Sequence, residues 1–223
     1  MKFTLLHPSR GRVEQAYSTL DKWMLMSSGN HKIEHILSID RDDPEKNKYL
    51  RKFEHKHPGL DKSTRMEGDN KSVVEATNRA AKWAKGEILI YLSDDFDCPY
   101  HWDELILEKL KANGNVHLWL LKVDDCLQRF HAEVLTIPIM SLGLYQELEY
   151  FWHPDYKSMW VDVDLYHTVY NVGYMIMAPE LKFEHKHYSN GKASHDETYK
   201  RSDKNWDQGL ETYNRRKAEN FPL

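Results

Sequence analysis

The sequence predicts an α/β fold with a mostly parallel central sheet flanked by helices. Two observations predict it. Apolar, strand-like runs alternate with helix-period stretches in the order strand, helix, strand, helix, strand, which implies right-handed crossovers between parallel neighbours. The run Ile88-Leu89-Ile90-Tyr91-Leu92 is short, apolar and bounded by Gly86 and Pro99, the mark of a buried strand. It ends in Asp94, Asp95 and Asp97, and the carboxyl ends of such strands are where open α/β sheets bind ligands. No Pro-, Gly- or Ser-rich linker divides the chain, so its 223 residues (1–223) read as a single domain.

The elements follow in order. Lys2 to Leu6 reads as the first strand and His7 to Arg12 as a turn. Val13, Ala16, Tyr17, Leu20 and Trp23 or Met24 recur at helical spacing. Ile33 to Ile39 is a second strand ending at Asp40. Arg41-Asp42-Asp43-Pro44 is a loop, because Asp and Pro favour turns. Lys46 to Lys56 is polar and basic, an exposed helix or a long loop. A third short strand lies near Thr64 to Met66. Asp69, Asn70 or Ser72 then caps a helix, and Ser72 with Glu75 fits a capping box. Val73, Thr77, Ala80, Ala81 and Ala84 line one side of it, and Gly86 closes its end. In the less regular second half, Val116 to Val123, Ala132 to Ile139 and Gly173 to Met177 read as strands. Tyr145 to Asp155 is aromatic and irregular. Asp164 to Asn171 reads as a helix, and so does the tail from Asp203 to Glu219, with Trp206, Leu210 and Tyr213 at helical spacing.

Composition narrows the class. Lys and Arg total 31 against 35 Asp and Glu, a net charge of −4, which does not suggest a general nucleic-acid or membrane-surface binder. With 7 Trp and 13 Tyr the chain is not a disordered one. Cys98 and Cys126 have no paired zinc-site spacing, and a reduced interior is the simpler reading than one disulfide. No apolar run is long enough to span a bilayer, and the N-terminal apolar stretch is too short for a secretion signal. The chain reads as soluble and cytoplasmic.

Several residue groups carry chemistry. The acids at Asp94, Asp95 and Asp97 repel one another unless a cation is present, so they suggest a divalent metal and a phosphate-bearing substrate. Pro8-Ser9-Arg10-Gly11-Arg12 follows the first strand. A turn at a helix N-terminus offers unpaired N–H groups, and arginine adds a fork of donors for phosphate or carbonyl oxygens; a plain helix cap with solvated arginines fits the same residues. Asp69-Asn70-Lys71 precedes Asn78-Arg79-Ala80-Ala81, whose alanines also suit helix–sheet packing. Trp160-Val161-Asp162-Val163-Asp164-Leu165 places two acids before a helix, as caps or as catalytic groups. In Phe183-Glu184-His185-Lys186-His187 the two histidines share a face on an extended segment. Phe-Glu-His-Lys-His also occurs at 53–57, in different surroundings, so it is not a repeat.

These stations, in this order and over nearly the whole chain, resemble the family 2 glycosyltransferases, which carry the nucleotide-sugar-binding GT-A fold. The resemblance implies a nucleotide-binding half, 1–97, and an acceptor-binding half, 98–223. It places the nucleotide-sugar on Pro8, Ser9, Arg10, Arg12, Asp40, Asp69, Asn70, Asn78 and Asp95. It implies Mn²⁺ or Mg²⁺ bridging the donor diphosphate, with Asp97 as the direct ligand, Asp95 at the ribose or a metal-bound water, and His185 as a late ligand. The family pattern Glu-Asp-X-Asp/Glu-Leu is met here by Asp162 and Asp164, with Val161 in place of the first acid, and its carried-over catalytic base is Asp162. The implied reaction is a metal-dependent transfer of one sugar, with inversion, from a nucleoside diphosphate sugar (a UDP-sugar as first choice) to an acceptor hydroxyl.

The Gln-X-X-Arg-Trp motif and membrane spans of processive synthases are missing, which argues for single-sugar transfer. The acceptor expected by default is a glycan, a lipid-linked sugar or a protein, with Trp152, Tyr156, Trp160 and Tyr166 as a stacking floor. The basic stretch Lys46, Lys48, Arg51, Lys52 and Lys56 leaves a modified DNA base as a minority option. A nucleotidyltransferase of similar fold ranks lower, because 8–12 has one Gly, and a non-catalytic nucleotide-sugar-binding module is the reading from a different class.

Overall fold

The alternation in the sequence becomes one seven-stranded sheet. β1 (Lys2–Ser9), β2 (Lys32–Asp40), β3 (Lys62–Gly68) and β4 (Ile88–Tyr91) are mutually parallel, and the strand order is β3-β2-β1-β4-β6-β5-β7. β5 (Leu120–Asp124) and β7 (Met175–Lys182) run parallel to each other, and β6 (Ile139–Ser141) is antiparallel between β4 and β5. A computed structural model describes residues 1–53, 57, 59–69 and 71–223.

The pleat of β1 shows why both sheet faces need cover. Phe3 and Leu5 enter one core with Trp23, Trp102 and Ile106, beneath α1 (Val13–Met26) and α4 (Trp102–Ala112). Leu6 enters the other with Ile36, Val74, Leu89, Leu165 and Tyr213, beneath α3 (Val73–Ala81), α5 (Leu142–Leu148), α6 (Val161–Asn171) and α8 (Trp206–Ala218). α2 (Lys46–Phe53) seats Tyr49 against Leu37 and Ile39, whereas α7 (Glu197–Asp203) buries no residue. Ser72 caps α3 by accepting the Glu75 N–H. Gly86 enters β4 so close to β1 that an added Cβ would lie 2.7 Å from the Thr4 nitrogen. Among the described residues no helix is long and apolar enough to cross a membrane. Cys98 and Cys126 are both free.

The second half departs from the sequence expectations. The strand expected from Val116 begins only at Leu120, and Ala132 to Ile139 is mostly loop, with β6 starting at Ile139. Side chains hold this loop's backbone instead of a strand partner. Asp125 accepts from the amides of Leu127 and Gln128 and the Thr136 hydroxyl, and the Lys122 ammonium donates to the carbonyls of Ala132 and Val134. The segment expected to be irregular from Tyr145 starts inside α5, which Ser141 caps through the Leu144 N–H. The helix expected from Asp164 starts at Val161, so Asp162 and Asp164 both lie in its first turn. The basic stretch is a solvated face, in which Lys46, Lys48 and Lys52 pair with Glu67, Glu45 and Glu14; Lys56 lies outside the described residues.

Candidate active site

The ends of β1 and β4 open into a cleft of about 410 Å³ whose lining includes Pro8, Ser9, Arg10, Arg12, Asp40, Asp95, Asp162 and His185. The fold thus brings these eight residues, each expected to bind donor or metal or to act in catalysis, to one cavity. Parallel strands leave their carboxyl ends free of crossover turns at the point where neighbouring connections diverge, and this produces the crevice.

The turn after β4 is fixed by its first acid. One Asp94 oxygen contacts His7 Nε2 at 2.9 Å, and the other accepts from the Ser9 hydroxyl at 2.9 Å. His7 Nδ1 meets His35 Nε2 at 3.1 Å, and burial beside His7 holds the His35 pKa well below its ordinary value. Both Asp94 oxygens are thereby engaged by protein.

Asp95 faces the cleft. Its Oδ2 accepts from the Tyr199 hydroxyl at 2.5 Å and lies 3.5 Å from Arg12 Nη1 and 3.6 Å from His185 Nε2. Its Oδ1 is buried without a hydrogen-bond partner, and so is His185 Nδ1. Burial pushes the Asp95 carboxyl up, but contact with His185 and Tyr199 outweighs it and holds the group far below the usual carboxylate range. His185 arrives because the chain after β7 stays extended. Phe183 and His185 donate their amides to the carbonyls of Asp124 and Asp125, while the amides of Asp97 and Lys186 donate to the carbonyls of Glu184 and Asp95. His187 also lines the cleft, its ring 4.9 Å from that of His185.

Asp97 is placed differently from Asp95. It is not among the cleft-lining residues, and its carboxylate pairs with Lys22 and, at 2.7 Å, with Lys186. These two lysines overcome the upward push of burial and lower its pKa.

At the other end of the cleft, Arg10 donates to Asp40 at 3.1 Å and to Asp42 at 2.7 Å. Burial raises the Asp40 pKa in spite of Arg10 and Arg79. Two residues selected for the nucleotide lie outside the cleft lining. Asp69 is exposed and pairs with Arg41. Asn78 clamps the chain after α5, its Oδ1 accepting from the amides of Phe151 and Trp152 and its Nδ2 donating to the Trp152 carbonyl. Asn70 lies outside the described residues.

The two acids of α6 diverge. Asp162 lines the cleft, its pKa raised by burial and by Asp125 against the Val163 amide and His185. Asp164 is sealed in the core, accepting from Arg216 Nε at 2.6 Å and the Tyr156 hydroxyl at 2.9 Å. Gly209 of α8 makes room for this approach, since an added Cβ would lie 2.3 Å from the Met159 carbonyl oxygen. Of the expected aromatic floor only Trp152 borders the cleft; Tyr156 and Tyr166 are buried in the core, and Trp160 packs on Trp206 and Tyr213.

In the sequence, His195-Asp196-Glu197 reads as helix decoration in preference to a segment that closes over a diphosphate, yet the structure sets this segment against the cleft. Asp196 grips Arg12 through two bonds of 2.7 and 2.8 Å, Tyr199 bonds Asp95, and Thr198 donates to the Arg10 carbonyl. The available signal was local. Asp196 is the N-cap of α7, accepting from the amides of Thr198 and Tyr199.

Among the described residues no group of three or more His, Cys, Asp or Glu is arranged to hold a metal ion. Asp95 and His185 nevertheless offer an oxygen and a nitrogen donor. A divalent ion that completes its shell with water and substrate phosphates needs only one or two protein ligands, so the residues present fit such an ion.

Comparison with known proteins bears on the fold. No family model and no curated protein matches the sequence. Among solved structures, S. aureus TarS 1–349 in complex with UDP matches with a TM-score of 0.62 and 12% identity, over 82% of this chain and 60% of that one. The same protein in complex with UDP-GlcNAc gives 0.63 and 12%, over 82% and 58%. The mannosyltransferase PcManGT from Pyrobaculum calidifontis, in complex with GDP-Man and Mn²⁺, gives 0.61 and 15%, over 82% and 56%. The chain has the GT-A glycosyltransferase fold. It spans less than two thirds of the length of these structures.

Proposed function

We propose that this protein is a metal-dependent glycosyltransferase that moves one sugar from a nucleoside diphosphate sugar to an acceptor hydroxyl with inversion. The observation that carries the reading is the Asp95–His185 pair, 3.6 Å apart beside Arg12, with a buried unpartnered oxygen on Asp95. In this reading Asp95 and His185 hold Mn²⁺ or Mg²⁺. When bound, the ion neutralises the charge that builds on the departing diphosphate. Arg12 supplies a guanidinium fork to the same oxygens, and Pro8, Ser9, Arg10 and Asp40 form the nucleoside end. Asp97, with two lysines on its carboxylate, secures the turn rather than the ion.

Asp162 acts as the base. It accepts the proton of the acceptor hydroxyl as that oxygen attacks the anomeric carbon; the bond from that carbon to the diphosphate breaks, and the diphosphate leaves with the electron pair. Its raised pKa suits proton acceptance. Solved neighbours of the same fold contain UDP, UDP-GlcNAc and GDP-Man with Mn²⁺, which supports a donor of the UDP or GDP class.

Thermal unfolding across a panel of UDP- and GDP-sugars, with and without Mn²⁺, tests the reading. Specific binding raises the Tm by mass action, by about 2.7 kcal/mol of stability at a hundredfold excess over Kd. Stabilisation by one donor that needs Mn²⁺ is expected, and a flat response to every donor would overturn it.

A further inference from the structure

We infer that α7 is an internal clasp that occupies the donor-binding groups and must release them before metal and diphosphate can bind. The inference rests on the nucleotide-sugar reading above. α7 buries no side chain. A helix of seven residues cannot persist on its own backbone bonds, so contacts outside the core hold it in place.

Those contacts fall mainly on the proposed donor machinery. The Asp196 carboxylate takes Arg12 in a two-bond grip, as a phosphate would. The Tyr199 hydroxyl sits on Asp95 Oδ2, and its ring lies 4.5 Å from the Arg12 guanidinium. Thr198 donates to the Arg10 carbonyl. Beyond this, the Ser158 hydroxyl donates to the Ser202 carbonyl, and the Tyr199 ring packs against His187 and Tyr188. Gly191, at φ +73°, lies in the connection that leads to α7, a left-handed turn that suits a pivot.

Asp196 therefore occupies the diphosphate's cation, and Tyr199 occupies Asp95 Oδ2, the carboxylate oxygen that faces His185 Nε2. Each ligand displaces one half of the clasp. Once one half has opened, the second ligand has less to displace, so diphosphate and metal bind cooperatively through α7 as well as through each other.

The test removes each half separately. Asp196→Asn keeps the helix cap but loses the charge that holds Arg12. Tyr199→Phe keeps the ring and loses the hydroxyl. Binding of UDP and GDP, each with Mn²⁺, is measured by calorimetry, and binding of Mn²⁺ alone by electron paramagnetic resonance. Asp196→Asn is expected to bind a nucleoside diphosphate about fivefold more tightly than wild type, and Tyr199→Phe to bind Mn²⁺ alone more tightly by a similar factor. Equal or weaker binding by both variants, with wild type binding normally, overturns the clasp and leaves the function standing. No binding of Mn²⁺, UDP or GDP by wild type or either variant overturns the function reading and the clasp with it.

Discussion

Asp162 and Asp164 stand two residues apart in the first turn of α6 and have opposite surroundings: Asp162 lines the cleft, and Asp164 is locked to Arg216 in the core. Positions i and i+2 of a helix do not share a face, so one turn supplies both a chemical group and a structural anchor. The same substitution should therefore fail in different ways at the two sites. Asp162→Asn is expected to retain donor binding and stability while transfer falls about 10²–10⁴-fold, the usual contribution of a general base. Transfer at the wild-type rate in a single-turnover assay would remove Asp162 from the mechanism.

The same carboxylate sets a pH dependence. Burial raises its pKa above that of an ordinary aspartate, about 3.9. Only the deprotonated form accepts a proton, so transfer should be lost as pH falls through the raised value and be complete above it. The acid limb of kcat/KM is thus expected above about pH 4. A profile whose acid limb survives unchanged in a residual-activity study of Asp162→Asn would assign that limb to another group.

Asp164 should show itself in stability. Removing one partner of a buried ion pair leaves the other charge uncompensated, at a cost of about 3–5 kcal/mol. Asp164→Asn is expected to lower the urea midpoint correspondingly, and replacing both Asp164 and Arg216 by apolar residues should recover much of the loss. A single variant within about 0.5 kcal/mol of wild type would show that the pair does not anchor α6.

Much of this fold was legible because local signals agreed with it. The apolar run at Ile88, the Ser72 cap and the period of Val13 to Trp23 each specify an element without long-range help. The boundary errors lie where side chains took over the backbone, as Asp125 and Lys122 do for the loop that had read as a strand from Ala132. The cleft residues at strand ends, such as Ser9, Arg12 and Asp95, were legible because topology alone brings strand ends together. The grip of Asp196 on Arg12 was not, since nothing local links residues so distant in sequence. Nor could the sequence separate Asp95 from Asp97: which acid faces the cleft depends on Lys22 and Lys186, contributed by α1 and by the segment after β7.

That separation can be measured. Asp95→Asn removes the carboxylate beside His185 and should abolish any Mn²⁺-dependent rise in Tm with donor. Asp97→Asn loosens a lysine cluster and should keep that rise, with only a small change in Tm of the free protein, since partly exposed ion pairs contribute about 0–1 kcal/mol. The reverse pattern would move the ion from Asp95 to Asp97.

Asn78 offers a last discrimination between a ligand contact and a clamp. Its side-chain amide makes three bonds to the backbone of Phe151 and Trp152, two residues with almost no exposure. Asn78→Ala would leave two amide donors and a carbonyl without these partners, and each unsatisfied buried group costs about 1–3 kcal/mol. The expected result is a loss of several kcal/mol in urea unfolding, while donor affinity of the folded fraction, measured by calorimetry well below the lowered Tm, stays near wild type. Weakened donor binding with unchanged unfolding would instead place Asn78 on the nucleotide, because a clamp cannot lose its bonds without destabilising the chain it holds.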